Sequence, residues 1–414
     1  SRLTIELPAH TICRIRVCSL SWHTDEPSDF TVSVAPAVNG SPCLLDQTRK
    51  GNQLSDHRRT TSASQDGYPT LTFPNGLFGR ARELALLVEA ARRPRVSPAV
   101  IIQGPPGIGK SALLDALRHE IGRAGGWCAV GAFADQPLPI PYSGFVIALT
   151  DLAHQLLAEP PSRVRQFEQR LRTGHGRNGG LLASLVPAFE TIVGKQPITS
   201  VDTADQPKRL VAALRTVFGI LAESGVPLVL CLDDLQWADR SSLEILRRLL
   251  LESPPPEMLV ILAMRSPTGR HSSVDTGRHS SVDVTLAEIQ RQRPEVTTLD
   301  IAPLDVTGVG DILRAALSGD PGVDIASSAE ALHAVTQGNP LLLRQALSLP
   351  ERAMRWQQGG ARHLWRWHPT SMAGLPPDEL LHALLAQRLQ RLDTSTLDTL
   401  NVVACCHAVD PAVL

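Results

Sequence analysis

The chain has 414 residues, of which 43% are hydrophobic and 20% are charged, and its net charge is -1. This balance excludes a protein-wide basic field for nucleic acid, and the longest apolar runs fall well short of the about 18 residues of a membrane helix, so we expect no membrane partner. Seven scattered cysteines without a C-x-x-C pair indicate reduced thiols and a cytoplasmic location.

Residues 1–75 carry weak and mostly polar patterns, and we expect them to be poorly ordered. Order is expected to begin near Leu77, where Phe78, Gly79 and Arg80 form a turn ahead of a helix. In that helix Leu84, Leu87, Val88 and Ala91 share one apolar face.

The eight residues 104–111 read GPPGIGKS and fit the pattern G-x-x-x-x-G-K-[ST] of a phosphate-binding loop. In this pattern glycines turn backbone N–H groups inward, a lysine reaches the terminal phosphates, and a hydroxyl binds Mg²⁺. An apolar run precedes the loop, and apolar residues at helical spacing follow it. This is the strand, loop and helix context that the motif requires. The candidate binding residues are Gly104, Gly107, Gly109, Lys110 and Ser111.

A second chemical motif follows the apolar run 228–232, which predicts a central strand of a parallel sheet. The run ends in Asp233 and Asp234. Because open α/β sheets bind ligands at the carboxyl ends of their strands, we expect Asp233 to hold Mg²⁺ and Asp234 to orient an attacking water. The alternative is an ordinary turn that caps a strand. Just beyond it, Ser241 and Glu244 fit a capping box.

The apolar run 258–264 predicts another buried strand, which ends at Arg265. A guanidinium there can sense a γ-phosphate, or it can simply end the strand in solvent. The eight residues 268–275, TGRHSSVD, are then repeated verbatim as 276–283. We interpret 268–283 as a duplicated surface loop rather than a metal site built on its two histidines.

From Leu304 the pattern becomes helical, with a turn at Gly338, Asn339 and Pro340. Residues 352–368 mix arginines with tryptophans, which could stack on nucleic acid, although a linker with partly buried tryptophans is favoured. Amphipathic helices return from Pro376 onward. The domain assignment is therefore a poorly ordered stretch 1–75, a nucleotide-binding α/β domain 76–303, a helical lid subdomain and linker 304–374, and a further segment 375–414.

Five separate stretches together resemble the STAND class of signal-transducing NTPases, and in particular the AAA-type ATPase module of large ATP-binding regulators of the LuxR family. They are the FGR turn, the phosphate loop, the run DDLQWAD from Asp233, the strand that ends in Arg265, and GNPL from Gly338. The resemblance implies a P-loop NTPase parallel sheet with flanking helices, followed by an all-α helical subdomain and the start of a winged-helix segment.

The resemblance also implies residue roles. The phosphate loop and Asp233 would hold ATP or ADP with Mg²⁺, Asp234 would be the hydrolytic carboxylate, and Arg265 would be the sensor arginine. Phe78, Gly79 and Arg80 would line the nucleotide, and Pro340 would close over the adenine. Ala81 stands where the family usually has glutamate, which puts a polar contact from that position in doubt.

The function that these expectations support is a nucleotide switch in a LuxR-type transcriptional regulator, with slow Mg²⁺-dependent ATP hydrolysis. An inducer, DNA contact through a helix-turn-helix, and homo-oligomer formation on activation would involve parts that we expect to lie beyond this chain, which would then be a fragment. The alternative is a turnover enzyme, either an AAA-type remodelling ATPase or a P-loop phosphotransferase. A remodelling ATPase needs an arginine finger, for which Arg240 and Arg247 are candidates.

Overall fold

The computed structural model describes residues 71, 73, 76–94, 96, 98–135, 140–175, 179–194, 206–252, 257–266, 276–317, 322–347, 356–359, 364–368 and 389. Helices and strands alternate through most of this region, and a group of helices with a small hairpin follows. None of the described helices combines the length and the apolar character that a membrane crossing requires.

Five strands form one parallel sheet, which confirms the P-loop NTPase sheet predicted from the sequence. The strands are β1 Ala99–Gly104, β2 Trp127–Ala132, β3 Leu228–Asp233, β4 Leu259–Arg265 and β5 Thr297–Asp300. They lie in the order β2-β3-β4-β1-β5. Every residue of β3 is buried, as expected for a parallel strand that is covered on both faces. The continuous apolar runs in the sequence follow from this position.

Helices cover both faces of the sheet. They are α1 Ala81–Arg92, α2 Lys110–Arg123, α3 Ser143–Leu157, α4 Pro161–His175, α5 Gly179–Leu185, α6 Pro187–Val193, α7 Gln206–Ala222, α8 Arg240–Leu251 and α9 Thr276–Gln292. Successive strand residues point to opposite faces, so Ile102 packs with α1 and α2, and Ile101 packs with the core that α3 to α9 share. The sheet is therefore the middle layer of three.

Helix α8 begins differently from the predicted capping box. Its N-cap is Asp239, whose Oδ1 accepts hydrogen bonds from Ser241 N at 2.9 Å and Ser242 N at 3.0 Å. Glu244 instead forms ion pairs with Arg247 and with Arg248. An aspartate two residues earlier satisfies the free N–H groups of the helix start equally well, so the prediction of the cap residue was wrong.

The second copy of the TGRHSSVD repeat is helical, which corrects the prediction of a surface loop for residues 276–283. This copy forms the beginning of α9, and Val282 is fully buried against the core of the sheet domain. Because one valine at helical spacing from Leu286 and Ile289 extends their apolar face, the copy joins the helix that follows it. The first copy, 268–275, lies outside the described residues.

A smaller core follows the sheet. It is formed by α10 Val306–Ala316, α11 Ile325–Thr336 and α12 Pro340–Leu347, with Leu313, Leu332 and Leu343 at its centre. Leu71 and Phe73 pack against this core as well. These three helices agree with the predicted helical subdomain, and we use that name for residues 304–347. The predicted winged-helix segment, 375–414, lies outside the described residues except for Leu389. The N-terminal stretch before Leu71 lies outside them entirely.

The helical subdomain also carries a hairpin that the sequence did not predict. Strands β6 Trp356–Gly359 and β7 Leu364–Trp367 are antiparallel. Trp367 is 2% exposed and belongs to the core of the subdomain, and Arg366 Nε donates to Asp324 Oδ2 at 2.8 Å. The tryptophans of β7, Trp365 and Trp367, therefore pack against the subdomain, as the favoured interpretation of partly buried tryptophans expected, although they stand in a strand.

Candidate functional site

The predicted site residues of the sheet meet at one edge. Strand order places β4 between β3 and β1, and all three strands run in the same direction, so their carboxyl ends lie side by side. Arg265 at the end of β4 is the register partner of Gly104, the first residue of the phosphate loop. This edge therefore brings together the loop, the two aspartates that follow β3, and Arg265.

The phosphate loop connects β1 to α2 through glycines in left-handed conformations. Gly107 has φ 73° and Gly109 has φ 100°, and α2 begins at the next residue, Lys110. A side chain at Gly109 would meet no other atom, so the backbone conformation rather than space requires glycine there. Such conformations at a helix N-terminus aim successive N–H groups into a concavity that suits an anion.

Lys110 lies inside this loop. Its side chain is 8% exposed, and Nζ donates to the carbonyls of Gly104 at 2.9 Å and Pro105 at 3.1 Å. Burial lowers the pKa of Lys110, and the nearby Asp233 and Asp234 oppose that shift. An ammonium that donates hydrogen bonds to neutral carbonyls can exchange them for anionic phosphate oxygens, which bind it more strongly.

Ser111 and Asp233 form the part of the site that suits a cation. Ser111 Oγ donates to Asp233 Oδ2 at 2.6 Å, and Asp234 N donates to Asp233 Oδ1 at 2.8 Å. Burial raises the pKa of Asp233, while the hydrogen bond from Ser111 lowers it. A hydroxyl and a carboxylate within one hydrogen bond of each other fit Mg²⁺, which takes few protein ligands and completes its shell with phosphates and water.

Asp234 is held by a residue for which the sequence suggested no role. Gln236 is fully buried, its Nε2 donates to Asp234 Oδ1 at 2.7 Å, and its Oε1 accepts from the backbone N–H of Arg265 at 3.1 Å. The Arg265 guanidinium lies 5.6 Å from the ring centroid of Trp237, within cation–π range. The Gln236-Trp237 pair thus positions both the second aspartate and the arginine.

The FGR turn packs behind the phosphate loop. Arg80 is 5% exposed, and its guanidinium donates to the Ala302 carbonyl and lies 3.5 Å from the Ile108 carbonyl. It also pairs with Glu83 at 3.1 Å, so a carboxylate three positions on supplies a polar contact where Ala81 cannot. Gly79 packs against Leu304, and Phe78 is half-buried. Nucleotide contact by these three residues stays a prediction.

Pro340 lies at the start of α12, next to two residues that bond to the phosphate loop. Asn339 Nδ2 donates to the Pro106 carbonyl at 2.9 Å, and Leu341 N donates to the Gly107 carbonyl at 3.2 Å. The helical subdomain therefore touches the loop directly. Contact between Pro340 and an adenine remains a prediction.

Comparison with known families agrees with this geometry. A profile of the family described as "AAA ATPase domain" matches residues 76–261. Residues 76–261 are similar to this family, and we call this stretch the AAA domain. The match contains the phosphate loop, Asp233 and Asp234, and it ends before Arg265 and Pro340.

Individual proteins resemble parts of the chain. Over 206 residues the chain is 30% identical to "Hybrid signal transduction histidine kinase G" of Dictyostelium discoideum, covering 48% of this chain and 6% of that protein. The RuvB Holliday junction branch migration motor of Thermotoga maritima is 14% identical, with a TM-score of 0.34 and coverage of 82% and 81% of the two chains. Cdc6p of Pyrobaculum aerophilum is 16% identical, with a TM-score of 0.38 and coverage of 71% and 66%. Both TM-scores are below 0.5, so nothing about this chain is argued from these two structures.

Two residues of the AAA domain and its neighbouring helices were missed in the sequence, namely Gln236 and Asn339. Both stood inside quoted motifs, DDLQWAD and GNPL, so a signal was present. The hydrogen-bond partners of the two amides lie outside these motifs. The Arg265 N–H is 29 residues from Gln236, and the Pro106 carbonyl is 233 residues from Asn339. A pairing over such distances has no signature in a single sequence.

Proposed function

We propose that this chain is the nucleotide-operated switch of a signalling regulator that resembles the LuxR-type family. In this proposal the AAA domain binds ADP or ATP with Mg²⁺, and slow hydrolysis returns the ATP form to the ADP form. An inducer, DNA contact through a helix-turn-helix and self-association would involve further parts of that regulator. The Dictyostelium relative is named as a signal transduction kinase, which accords with a module that serves signalling.

Nucleotide binding is supported by the charges at the carboxyl edge of the sheet. Lys110 would bind the terminal phosphates, and Ser111 with Asp233 would hold Mg²⁺, which when bound neutralises phosphate charge. Asp234 would orient the attacking water, and Arg265 would sense the γ-phosphate. Lys110, Asp233, Asp234 and Arg265 interact electrostatically in one place, as a site for a charged ligand requires.

The observation that supports a switch is that the phosphate loop lies between two parts of the chain. The sheet supplies Lys110 and Asp233, and the helical subdomain bonds to the carbonyls of Pro106 and Gly107 from the other side. A ligand that changes this loop therefore changes the contact between sheet and subdomain. Such an arrangement is the usual basis of hinge or closure movements.

The turnover alternative has less support. A ring-forming remodelling ATPase would present an arginine to the site of its neighbour, but Arg247 already lies within ion-pair distance of Glu244, Glu252 and Glu288. These contacts raise the pKa of Arg247, chiefly through its hydrogen bonds with Glu244. An arginine with this many partners on its own surface is poorly suited to act as a finger.

Calorimetric titration of Lys110→Ala with ADP and with ATP·Mg²⁺ tests the nucleotide site. Loss of a charge-assisted contact to phosphate is expected to weaken both ligands at least about tenfold. Lys208→Ala, at an exposed lysine of α7, is the matched control and should bind as the wild type does. Unchanged affinity in Lys110→Ala would refute the assignment. Steady-state hydrolysis well below about 1 s⁻¹ is expected for a switch, and faster turnover would favour an enzyme.

A further inference from the structure

Two peptide groups of the phosphate loop are bonded from the side of the helical subdomain. The Pro106 carbonyl accepts from Asn339 Nδ2 at 2.9 Å, and the Gly107 carbonyl accepts from Leu341 N at 3.2 Å. Both acceptors belong to the middle of the loop, between Gly104 and Gly109. The helical subdomain thus determines which way these two carbonyls point.

The orientation of these carbonyls also fixes two N–H groups. In a trans peptide the C=O and the following N–H point in opposite directions, and the described chain contains no cis peptide. The N–H groups of Gly107 and Ile108 therefore point away from the helical subdomain and into the loop. There the Ile108 N–H has a long contact of 3.4 Å to the Pro105 carbonyl, which an anionic oxygen can replace.

The direction of the Asn339 amide is set by its own surroundings. Its Oδ1 accepts from Leu341 N at 3.0 Å and from Leu342 N at 3.4 Å, so it caps the start of α12. A flipped amide would lose this cap and would place Oδ1 against the Pro106 carbonyl. The Nδ2 donor is consequently held toward the loop.

The contact between loop and subdomain is also close in the steric sense. A Cβ atom placed on Gly107 would lie 2.5 Å from Leu341 Cβ and 3.0 Å from Asn339 Oδ1. Leu304 N, at the entry to the helical subdomain, donates to the Gly338 carbonyl at 2.9 Å. The segment that carries Asn339 is therefore fixed on both of its sides, and no side chain separates it from the loop.

We infer that Asn339 is a positioning residue for phosphate binding, which it serves from behind the loop without touching the nucleotide. By holding the Pro106 peptide, it keeps the Gly107 N–H directed at the bound phosphates. This inference rests on the proposed nucleotide function and names the residue through which the helical subdomain regulates that site. Because coupling is reciprocal, bound phosphate also favours docking of the subdomain by the same factor.

The substitution Asn339→Asp separates this role from the cap. An aspartate still accepts from the N–H groups of α12 and is a good N-cap, but it replaces the donor that faces the Pro106 carbonyl with an acceptor. ADP should bind about five- to tenfold more weakly, as expected for loss of one partly buried hydrogen bond. Asn339→Ser, which keeps a capping oxygen but is too short to reach Pro106, should weaken ADP in the same direction.

Asp305→Asn is the matched control. It makes the reverse exchange at the N-cap of α10, where Asp305 Oδ1 accepts from Gly308 N at 2.7 Å. Asn is an equally good cap, so this variant should bind ADP with the affinity of the wild type. Hydrogen exchange of residues 306–336 is measured for each protein without ADP and at saturating ADP, which shows whether the subdomain itself has been loosened.

Weaker ADP binding by both Asn339 variants, with unchanged exchange in the absence of ADP and reduced protection at saturating ADP, supports the inference. Unchanged ADP affinity overturns it. Faster exchange without ADP, sufficient to account for the loss of affinity, also overturns it, because the effect would then be general loosening. If the wild type itself fails to bind ADP and ATP, the proposed function fails first, and that result is visible before any variant is compared.

Discussion

The buried side chain of Gln236 offers a sharp test of how the site is held. The pairing of β3 with β4 ends at Leu232 and Leu262. Beyond that point the backbone N–H of Arg265 donates to Gln236 Oε1, so the Gln236 amide replaces a strand partner there. Gln236→Leu keeps the approximate volume and removes both hydrogen bonds.

The expected magnitude follows from these two bonds. The Arg265 N–H is left without the Gln236 acceptor at a cost of about 1–3 kcal/mol, and the lost bond to Asp234 adds about 1 kcal/mol, since that half-exposed carboxylate can be hydrated. Burying a more apolar side chain returns about 1 kcal/mol. The free energy of unfolding should therefore fall by about 2 kcal/mol.

Urea unfolding measures this loss, and Gln290→Leu is the control. Gln290 is exposed, with one side-chain hydrogen bond to Thr298 at 3.0 Å, so the same substitution there should change the free energy of unfolding by less than about 0.5 kcal/mol. Equal losses in the two variants would refute the bridging role of Gln236. If Asp234 orients water, ATP turnover by Gln236→Leu should also fall about tenfold or more, with ADP affinity within about twofold of the wild type.

Two further predictions concern the cation site and the loop. The native pKa of Asp233 is raised above its ordinary value of 3.8, chiefly by burial, so the native state binds the proton more tightly than the unfolded chain does and the wild type loses stability as pH rises through that window. Asp233→Asn lacks this dependence, so urea unfolding should show that its stability relative to the wild type increases from about pH 4 up to the native pKa of Asp233. A stability difference that does not change with pH would contradict the burial argument. Calorimetry should show that the variant binds ATP·Mg²⁺ about tenfold more weakly. Gly107→Ala and Gly109→Ala both place a side chain at positive φ, but only the former meets Leu341, so hydrogen exchange in α12 should accelerate about tenfold in Gly107→Ala alone.

Local signals made much of the sheet and of the site predictable. The phosphate loop is read from eight consecutive residues, and the run that ends in Asp233 shows a buried strand because both faces of β3 are covered. Once the strands are known to be parallel, their carboxyl ends must share one edge. The meeting of Lys110, Asp233 and Arg265 therefore followed from elements that are each visible in the sequence.

Other features depended on partners that no local pattern reveals. The sequence favoured partly buried tryptophans in this stretch, but it gave no sign of the hairpin or of the helical core against which Trp367 packs. The repeat 268–283 carries few apolar residues and so predicted a loop; its second copy is helical because Val282 extends the apolar face of α9. Likewise, the cap of α8 was assigned to a serine because two acceptable caps lie two residues apart, and only the folded chain selects Asp239.

Leu304 joins three segments of the chain. Gly79 and Gly338 both lie against it without room for a side chain, since a Cβ atom would come within 2.8 Å of Leu304 Cδ2 at the first and 2.0 Å of the Leu304 carbonyl oxygen at the second. As long as these contacts persist, the helical subdomain can pivot about Leu304 but cannot slide along the sheet. Atoms near a pivot move least, so the surface that transmits the nucleotide signal to a partner should be sought on the parts of the subdomain farthest from Leu304.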